Sequence, residues 1–161
     1  MGIYTISDTV HVNAPIDRCF LLSTNIELVT ETLGMRPIAG RTAGFIGAED
    51  RVTWYGWKFG MPQIHESRIT VYERPTFFQD TMTRGKFKRY QHDHVFADIG
   101  GQTLLNDRIR FSLPLGWIGD FVAKKFLVPY ISKQARRRLR HLKRIAESSD
   151  WQQYLPDRPS A

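Results

Sequence analysis

The stretch from residue 52 to residue 113 alternates short β-type segments with tight turn signals, and this order limits the possible folds more than any other feature of the chain. The segments are dense in β-branched and aromatic side chains, which favour pleated, half-buried backbone. They lie at residues 52–59, 64–72, 77–83, 87–98 and 103–113. Short connections, such as Gly60-Met61-Pro62 and Gly100-Gly101, join antiparallel neighbours, so the pattern predicts a β-meander.

A strand and two short helices are predicted ahead of the meander. The strand follows from the spacing of the apolar residues Tyr4, Ile6, Val10 and Val12. The first helix is predicted from Ile16 to Ser23, with Pro15 at its start, where a missing N–H is not needed. The second helix is predicted from Asn25 to about Thr32, and Gly34 is its stop signal.

A long amphipathic helix is predicted after the meander. Pro114 and Gly116 separate it from the last strand, and apolar residues then recur at helical spacing up to Ala146. Pro129 lies inside this pattern and lacks the N–H that a regular helix requires. A kink or a break is therefore expected at Pro129.

The length of 161 residues, with 42% hydrophobic and 24% charged residues, fits one globular domain. We predict that this domain spans residues 1–148. Residues 149–161 are predicted to form a polar tail, from which Trp151 and Tyr154 can dock on the surface.

Together these elements predict an α+β domain in which a curved antiparallel sheet of about seven strands wraps around the long C-terminal helix. A strongly curved sheet cannot be filled by its own side chains, so the helix covers its concave face. A cavity remains between the two layers, and such cavities are common sites for small ligands.

Four segments carry a resemblance to a known superfamily. They are the opening NAPIDRCF, the hairpin ERPTFFQDTMTRGKFKRYQHDHVF, the strand and exit NDRIRFSLPLG, and the basic closing helix. Over roughly Ile3 to Ala146 the chain resembles the START-like (SRPBCC) superfamily, in its bacterial polyketide cyclase/dehydrase-like ligand-binding branch. Tyr90 stands where many members carry tryptophan.

The resemblance implies the helix-grip fold and an apolar or amphipathic ligand, such as a lipid or a polyketide, held between sheet and helix. Some members of the superfamily catalyse cyclisation or dehydration. The alternative is therefore a cofactor-independent cyclase or dehydratase, and the resemblance leaves open whether this chain is an enzyme. No cofactor is expected.

Asp107 is the clearest anomaly in the last predicted strand. Period-two alternation places it on one face with Leu105, Ile109, Phe111 and Leu113. A carboxylate in such an apolar stripe is either buried with partners or lines a wet cavity. Two interpretations stay open: a salt bridge to an arginine such as Arg89 or Arg68, and a role toward a ligand.

His92 and His94 point to one face of their strand, together with Tyr90. Imidazole titrates near neutrality, so His92 with Asp107 is a candidate general acid/base pair. A zinc site would need further ligands, for which Asp107 or His65 are the candidates. Because His-x-His alone is a weak signal, we predict no metal.

Other side chains complete the predicted cavity wall. The strand with Trp54 and Trp57 offers a flat apolar surface, with plain core packing as the alternative. Glu66, Arg68 and Asp80 fall in strands, but their facing depends on register, which the pattern leaves open. The predicted ligand contacts are Trp54, Trp57, Glu66, Tyr90, His92, His94, Asp107, Phe111 and Phe121.

Several functional classes lack their sequence signals. The chain has no G-x-S-x-G, no phosphate-binding glycine loop and no C-x-x-C. A single cysteine, Cys19, cannot form an internal disulfide, so a reducing compartment is expected. Cys19 itself is expected to be a small buried hydrophobe. No apolar run is long enough to span a bilayer, and the first residues do not form a secretory signal. We therefore predict a cytoplasmic protein.

The net charge of +7 is concentrated near the C-terminus. A solvated helix face is the first interpretation of this basic cluster. Weak contact with an anionic membrane is the second, through Arg136, Arg137, Arg140 and Arg144. A nucleic-acid partner is not expected, because no stacking aromatics are interleaved with the arginines.

Overall fold

The computed structural model describes residues 2–155, and its sheet joins the predicted opening strand and the predicted meander with one further strand. The strands are β1 (Tyr4–Val12), β2 (Arg36–Gly40), β3 (Arg51–Lys58), β4 (Met61–Glu73), β5 (Phe77–Arg84), β6 (Arg89–Ile99) and β7 (Gln102–Ser112). They form one antiparallel sheet in the order β1-β7-β6-β5-β4-β3-β2.

The helices occupy the predicted positions around this sheet. They are α1 (Ile16–Thr24), α2 (Ile26–Leu33), α3 (Gly116–Val122) and α4 (Val128–Glu147), with a π-helical turn at Ala123–Leu127 and a 3-10 helix at Ser149–Gln153. The predicted α+β class and helix-grip architecture are confirmed.

Two details of the sheet differ from the sequence prediction. Strand β2 was not predicted, because its short sequence RPIAG contains a proline and a glycine, which are weak strand signals. The turn between β3 and β4 lies one residue earlier than expected, at Phe59 and Gly60, whose φ angles are 54° and 70°. Met61 and Pro62 consequently belong to β4.

The C-terminal helix is irregular at the place that Pro129 predicts. Helix α3 leads directly into the π-helical turn, and α4 then begins with Pro129 in its first turn. A proline cannot donate to the helical ladder, and its ring clashes with the carbonyl four residues before it. The wider turn lies where the proline disrupts the regular ladder.

Helix α2 is bounded by the two residues that the sequence marks. The side chain of Asn25 caps its first turn by accepting a hydrogen bond of 2.9 Å from the Leu28 N–H. Gly34 ends it with a φ of 65°, in the left-handed region that favours glycine.

The core lies between the concave face of the sheet and the helices. In its larger cluster the Phe20 ring contacts the rings of Phe78 and Phe96, with centroids 5.5 and 5.2 Å apart, and Cys19 is fully buried beside them. A second cluster packs α4 against β1 and β7 through Ile6, Ile109, Phe111, Ile131 and Ala135.

The segment after α4 is docked on the domain as far as Leu155. The Arg18 guanidinium lies 4.2 Å from the Trp151 ring centroid, and the Tyr154 hydroxyl donates to Glu31 Oε1 at 2.5 Å. The rest of the predicted tail, residues 156–161, lies outside the described residues. Within residues 2–155, no helix combines the length and apolar character needed to cross a membrane.

Candidate functional site

A cavity of about 460 Å³ lies between the concave face of the sheet and the C-terminal helix. This volume is in the range of small-molecule sites. Most of the cavity wall is apolar, and it includes Ile46, Trp54, Ile69, Phe78, Leu127, Ile131 and Ala135.

The rim of the cavity lies at the turn between β3 and β4, where residues that line the cavity are also exposed to solvent. Phe59 and Met61, at the turn between β3 and β4, are both largely exposed. The Phe59 ring lies 4.9 Å from the ring of Tyr130 on α4, and the Lys58 ammonium lies 5.8 Å from the same ring. The turn and the helix therefore meet across the rim.

A polar cluster interrupts the apolar wall, and strand register puts it there. Asp80 on β5 pairs with His92 on β6, and His94 pairs with Asp107 on β7. His92 and His94 are two residues apart on one strand, so both point to the concave face. Asp80 and Asp107, their direct cross-strand partners, point to the same face. Asp80, His92 and His94 line the cavity, and Asp107 lies behind the histidines, 1% exposed.

The imidazoles lie between two carboxylates. His94 Nδ1 is 2.8 Å from Asp107 Oδ1, and His94 Nε2 is 3.3 Å from Asp80 Oδ2. His92 Nε2 lies 3.4 Å from Asp107 Oδ2, and His92 Nδ1 lies 3.8 Å from Asp80 Oδ2. Arg138 on α4 donates from Nη1 to Asp107 Oδ2, which ties the helix to the cluster.

The partner of Asp107 corrects the sequence prediction. Arg68 and Arg89 were the expected partners. Each is adjacent in sequence to a residue that lines the cavity, Ser67 and Tyr90, so its own side chain lies on the convex face of the sheet. Arg68 pairs with Glu49 there, and Arg89 is exposed. The missed signal was Arg138, which lies on the apolar face of α4, seven residues after Ile131.

Burial and charge set the protonation of the cluster. Burial alone would raise the pKa of Asp107, but the Arg138 guanidinium and the two imidazoles hold it well below its usual range. Burial also opposes ionisation of Asp80, yet the hydrogen bond from His94 and the charge of His92 lower its pKa. Burial lowers the pKa of His92, and the neighbouring His94 lowers it further. His92 is therefore a neutral imidazole at neutral pH, able to accept a proton or bind a metal.

Two buried polar atoms of the cavity wall make no hydrogen bond within residues 2–155: Ser23 Oγ and His92 Nε2. Buried polar atoms in proteins are normally satisfied. Ser23 Oγ is thus available to a polar group of a bound molecule, whereas His92 Nε2 faces Asp107 Oδ2 at 3.4 Å. Asp80, His92 and His94 also offer ligand atoms within 4.8 Å of one another, a spacing that can hold a metal ion.

Four of the nine predicted ligand contacts line the cavity: Trp54, Tyr90, His92 and His94. Burial raises the pKa of Tyr90, so this hydroxyl stays protonated and can donate. Asp107 does not line the cavity itself but contacts His92 and His94, which do. Asp80, whose facing the pattern left open, lines the cavity beside them.

The other four predicted contacts lie elsewhere, for physical reasons. Trp57 is 64% exposed on the convex face, since it is three residues from the inward-facing Trp54. Glu66 also faces outward and accepts hydrogen bonds from Thr53 and Thr83. Phe111 is fully buried in core packing, and Phe121 is 56% exposed on α3.

Comparisons with known proteins inform the fold. No family model matches the sequence, and no curated protein matches it. Among solved structures, half of the di-domain ARO/CYC protein BexL, from the BE-7585A biosynthetic pathway, matches with a TM-score of 0.72 and 18% identity, over 91% of this chain and 50% of that chain.

Two single-domain structures match over nearly their whole length. TTHA0849 from Thermus thermophilus has a TM-score of 0.67 at 18% identity, covering 88% of this chain and 95% of that chain. A START superfamily protein from Mycobacterium smegmatis has a TM-score of 0.59 at 15% identity, covering 89% and 94%. These likenesses show that the chain has the START-like fold.

Proposed function

We propose that this chain, which has the START-like helix-grip fold, binds an apolar or amphipathic small molecule in the cavity between the sheet and the C-terminal helix. The observation that carries the proposal is the cavity of about 460 Å³ with a mostly apolar wall. Apolar pockets with a few convergent polar groups are the usual form of small-molecule sites. Lipids and polyketides are ligand classes of this kind.

The polar cluster supports a ligand with a polar end. Trp54, Ile69 and Ile131 would contact its apolar body. His92 and His94 line the cavity, and Ser23 Oγ is buried without a hydrogen-bond partner in the described part of the chain, so these groups would meet a hydroxyl or carbonyl. A molecule with one oxygen-bearing end therefore suits the cavity better than a plain hydrocarbon.

A titration with the neutral fluorophore N-phenyl-1-naphthylamine tests this proposal. Saturable binding, with displacement by long-chain alcohols or fatty acids, is the expected result. Linear, non-displaceable fluorescence would contradict the proposal, since it indicates no defined cavity site.

The alternative is a cofactor-independent cyclase or dehydratase, and the position of His92 supports it. Its neutral imidazole lines the cavity and lies 3.4 Å from Asp107, whose position is held by His94 and Arg138. In a dehydration, His92 would take a proton from a carbon next to a carbonyl. The neighbouring hydroxyl would then leave as water, with the proton returned by the imidazolium.

Mass spectrometry of the bound compound separates carrier from enzyme. An enzyme converts a captured β-hydroxy carbonyl compound to a product lighter by one water, and His92→Ala stops the conversion. A compound recovered unchanged after prolonged incubation with the wild type would remove the catalytic alternative.

We also propose weak contact with an anionic membrane surface. Arg136, Arg137, Arg140 and Arg144 are exposed, in keeping with the predicted contact. However, Arg136 lies 3.5 Å from Asp8, and Arg144 lies 3.5 Å from Asp150. Part of this charge is therefore already offset.

A second surface supports membrane contact better. Trp117, Phe121 and Phe126 are 80%, 56% and 52% exposed along α3 and the π-helical turn. The Lys125 ammonium lies 5.5 Å from the Phe121 ring and 5.6 Å from the Phe126 ring. Aromatic rings beside lysines suit the headgroup region of an anionic bilayer. The same segment lines the cavity through Val122 and Leu127.

A further inference from the structure

We propose that Asp80, His92 and His94 form a binding site for a divalent transition-metal ion of the zinc type. One atom of each side chain can be chosen so that all three lie within 4.8 Å of one another. Two imidazole nitrogens and one carboxylate oxygen form a donor set that such ions favour. The inference stands apart from the proposed ligand binding, because metal can be bound with the cavity otherwise empty.

The sheet holds these three side chains without the help of a loop. His92 and His94 are two residues apart on β6, so both face the cavity. Asp80 is the direct cross-strand partner of His92 on β5. Ligands on paired strands keep their spacing, because the ladder hydrogen bonds fix the backbone.

A second carboxylate orients one of the imidazoles. His94 Nδ1 contacts Asp107 Oδ1 at 2.8 Å, which leaves His94 Nε2 directed at Asp80 Oδ2, 3.3 Å away. A carboxylate on the far nitrogen is the usual support of a metal-binding histidine. Arg138 holds Asp107 in turn. The carboxylate that orients His94 is therefore itself held in place.

The balance of charge in the cluster also supports a cation. Asp107, which is fully buried, and Asp80, which is partly exposed to the cavity, bring two negative charges, and Arg138 brings one positive charge, which is paired with Asp107. In the described part of the chain, the ion pairs of Asp80 are with His92 and His94 alone. A carboxylate withdrawn from water needs a compensating charge, and a divalent ion between Asp80 and the two imidazoles would supply it.

The site has room for a further ligand. Asp80, His92 and His94 all line the cavity, so a bound ion would face it. Three protein ligands leave a coordination position for water or for a substrate oxygen. A bound metal would have His92 as a ligand, and a metal-bound His92 could not act as the general base. Metal binding and the cofactor-independent mechanism are thus alternatives for the same side chain.

Sheet register explains why the sequence predicted no metal. The pattern showed two histidines, with Asp107 or His65 as candidates for a third ligand. In the structure Asp107 lies behind His94, and the third ligand is the neighbour on β5, Asp80. A cross-strand neighbour is invisible until the pairing is known.

Titration of chelator-treated protein with Co²⁺ alone, followed by Zn²⁺ competition, tests the inference. We expect one Co²⁺ per chain, with visible absorption bands that Zn²⁺ removes. Asp80→Asn and His94→Gln should each weaken binding by at least about tenfold. The control His11→Ala/His141→Ala removes two histidines outside the cluster and should bind Co²⁺ as the wild type does.

Imidazole ¹⁵N resonances give a second readout that needs no variant. Zn²⁺ should shift the resonances of His92 and His94 and leave that of His11 unchanged. The inference is overturned if the wild type binds no Co²⁺, if Asp80→Asn and His94→Gln bind it normally, or if Zn²⁺ leaves both resonances in place. Such a failure would leave apolar probe binding by the metal-free protein unaffected, so the two proposals are tested separately.

Discussion

His94 Nδ1 lies 2.8 Å from Asp107 Oδ1, and the same carboxylate accepts a hydrogen bond from Arg138 on α4. His94 and Asp107 are direct partners in the β6–β7 ladder, so sheet register determines this contact. One buried carboxylate consequently orders the polar wall of the cavity and adds a polar contact to the apolar packing of the helix above it.

Replacing Arg138 should therefore destabilise the whole domain. Arg138→Met leaves Asp107 buried without its guanidinium partner, which costs about 3–5 kcal/mol. Urea unfolding followed by circular dichroism measures the loss. Arg137→Met is the matched control, because Arg137 is exposed on the same helix, and it should change stability by less than about 0.5 kcal/mol. Equal stability of the two variants would show that the Asp107–Arg138 pair contributes little.

Filling the cavity should abolish ligand binding while keeping the fold. Ser67 is buried and lines the cavity, so Ser67→Trp places a large ring inside it. Saturable fluorophore binding should fall at least about tenfold, which corresponds to about 1.4 kcal/mol. Thr70→Trp is the control, because Thr70 is exposed on the same strand. Unchanged binding by Ser67→Trp would place the site outside this cavity.

Glu147 should contribute stability that depends on pH. Its Oε1 accepts from the Lys143 ammonium at 2.6 Å and from the Asn13 N–H at 2.7 Å, and these contacts lower the pKa of Glu147. A carboxyl with a lowered folded pKa stabilises the protein above its unfolded pKa, and this contribution is lost as pH falls through the folded value. Glu147→Gln should thus lower Tm at pH 7, and the difference should shrink below about pH 4. A Tm difference constant with pH would assign the loss to packing.

Membrane contact should depend on the aromatic surface more than on the arginines. Trp117→Ser/Phe121→Ser should lose most binding to vesicles of phosphatidylcholine with phosphatidylglycerol, measured by co-sedimentation at low salt. Arg137→Gln/Arg140→Gln should lose less, since these arginines lie on a different part of the helix. Binding of the wild type that is equal for neutral and anionic vesicles would contradict the role of Lys125 and its neighbours.

Much of the fold could be predicted from local patterns. Alternating apolar residues marked the long strands, Gly100-Gly101 marked a hairpin whose two φ angles are 62° and 85°, and Pro129 marked the irregular helix. Each of these features follows from backbone geometry within a few residues. Strand β2 was not predicted, because its five residues include a proline and a glycine, which are weak strand signals.

The site was only partly predictable, because it is built from cross-strand and helix–sheet contacts. Asp107 was recognisable as a carboxylate in an apolar stripe, but Arg138 is supplied by a helix 31 residues later in the chain. Trp57 and Glu66 were assigned to the cavity before register was known. Phe121 follows the helical spacing, yet α3 leaves its ring exposed.

Native mass spectrometry of the protein purified from its own host detects a compound bound in the cavity. We expect a wild-type mass that exceeds that of the chain by one discrete apolar compound, recoverable by organic extraction, and a bare-chain mass for Ser67→Trp. A bare-chain mass for the wild type, unchanged after incubation with the host's lipid extract, would contradict the proposal that the cavity binds an apolar small molecule.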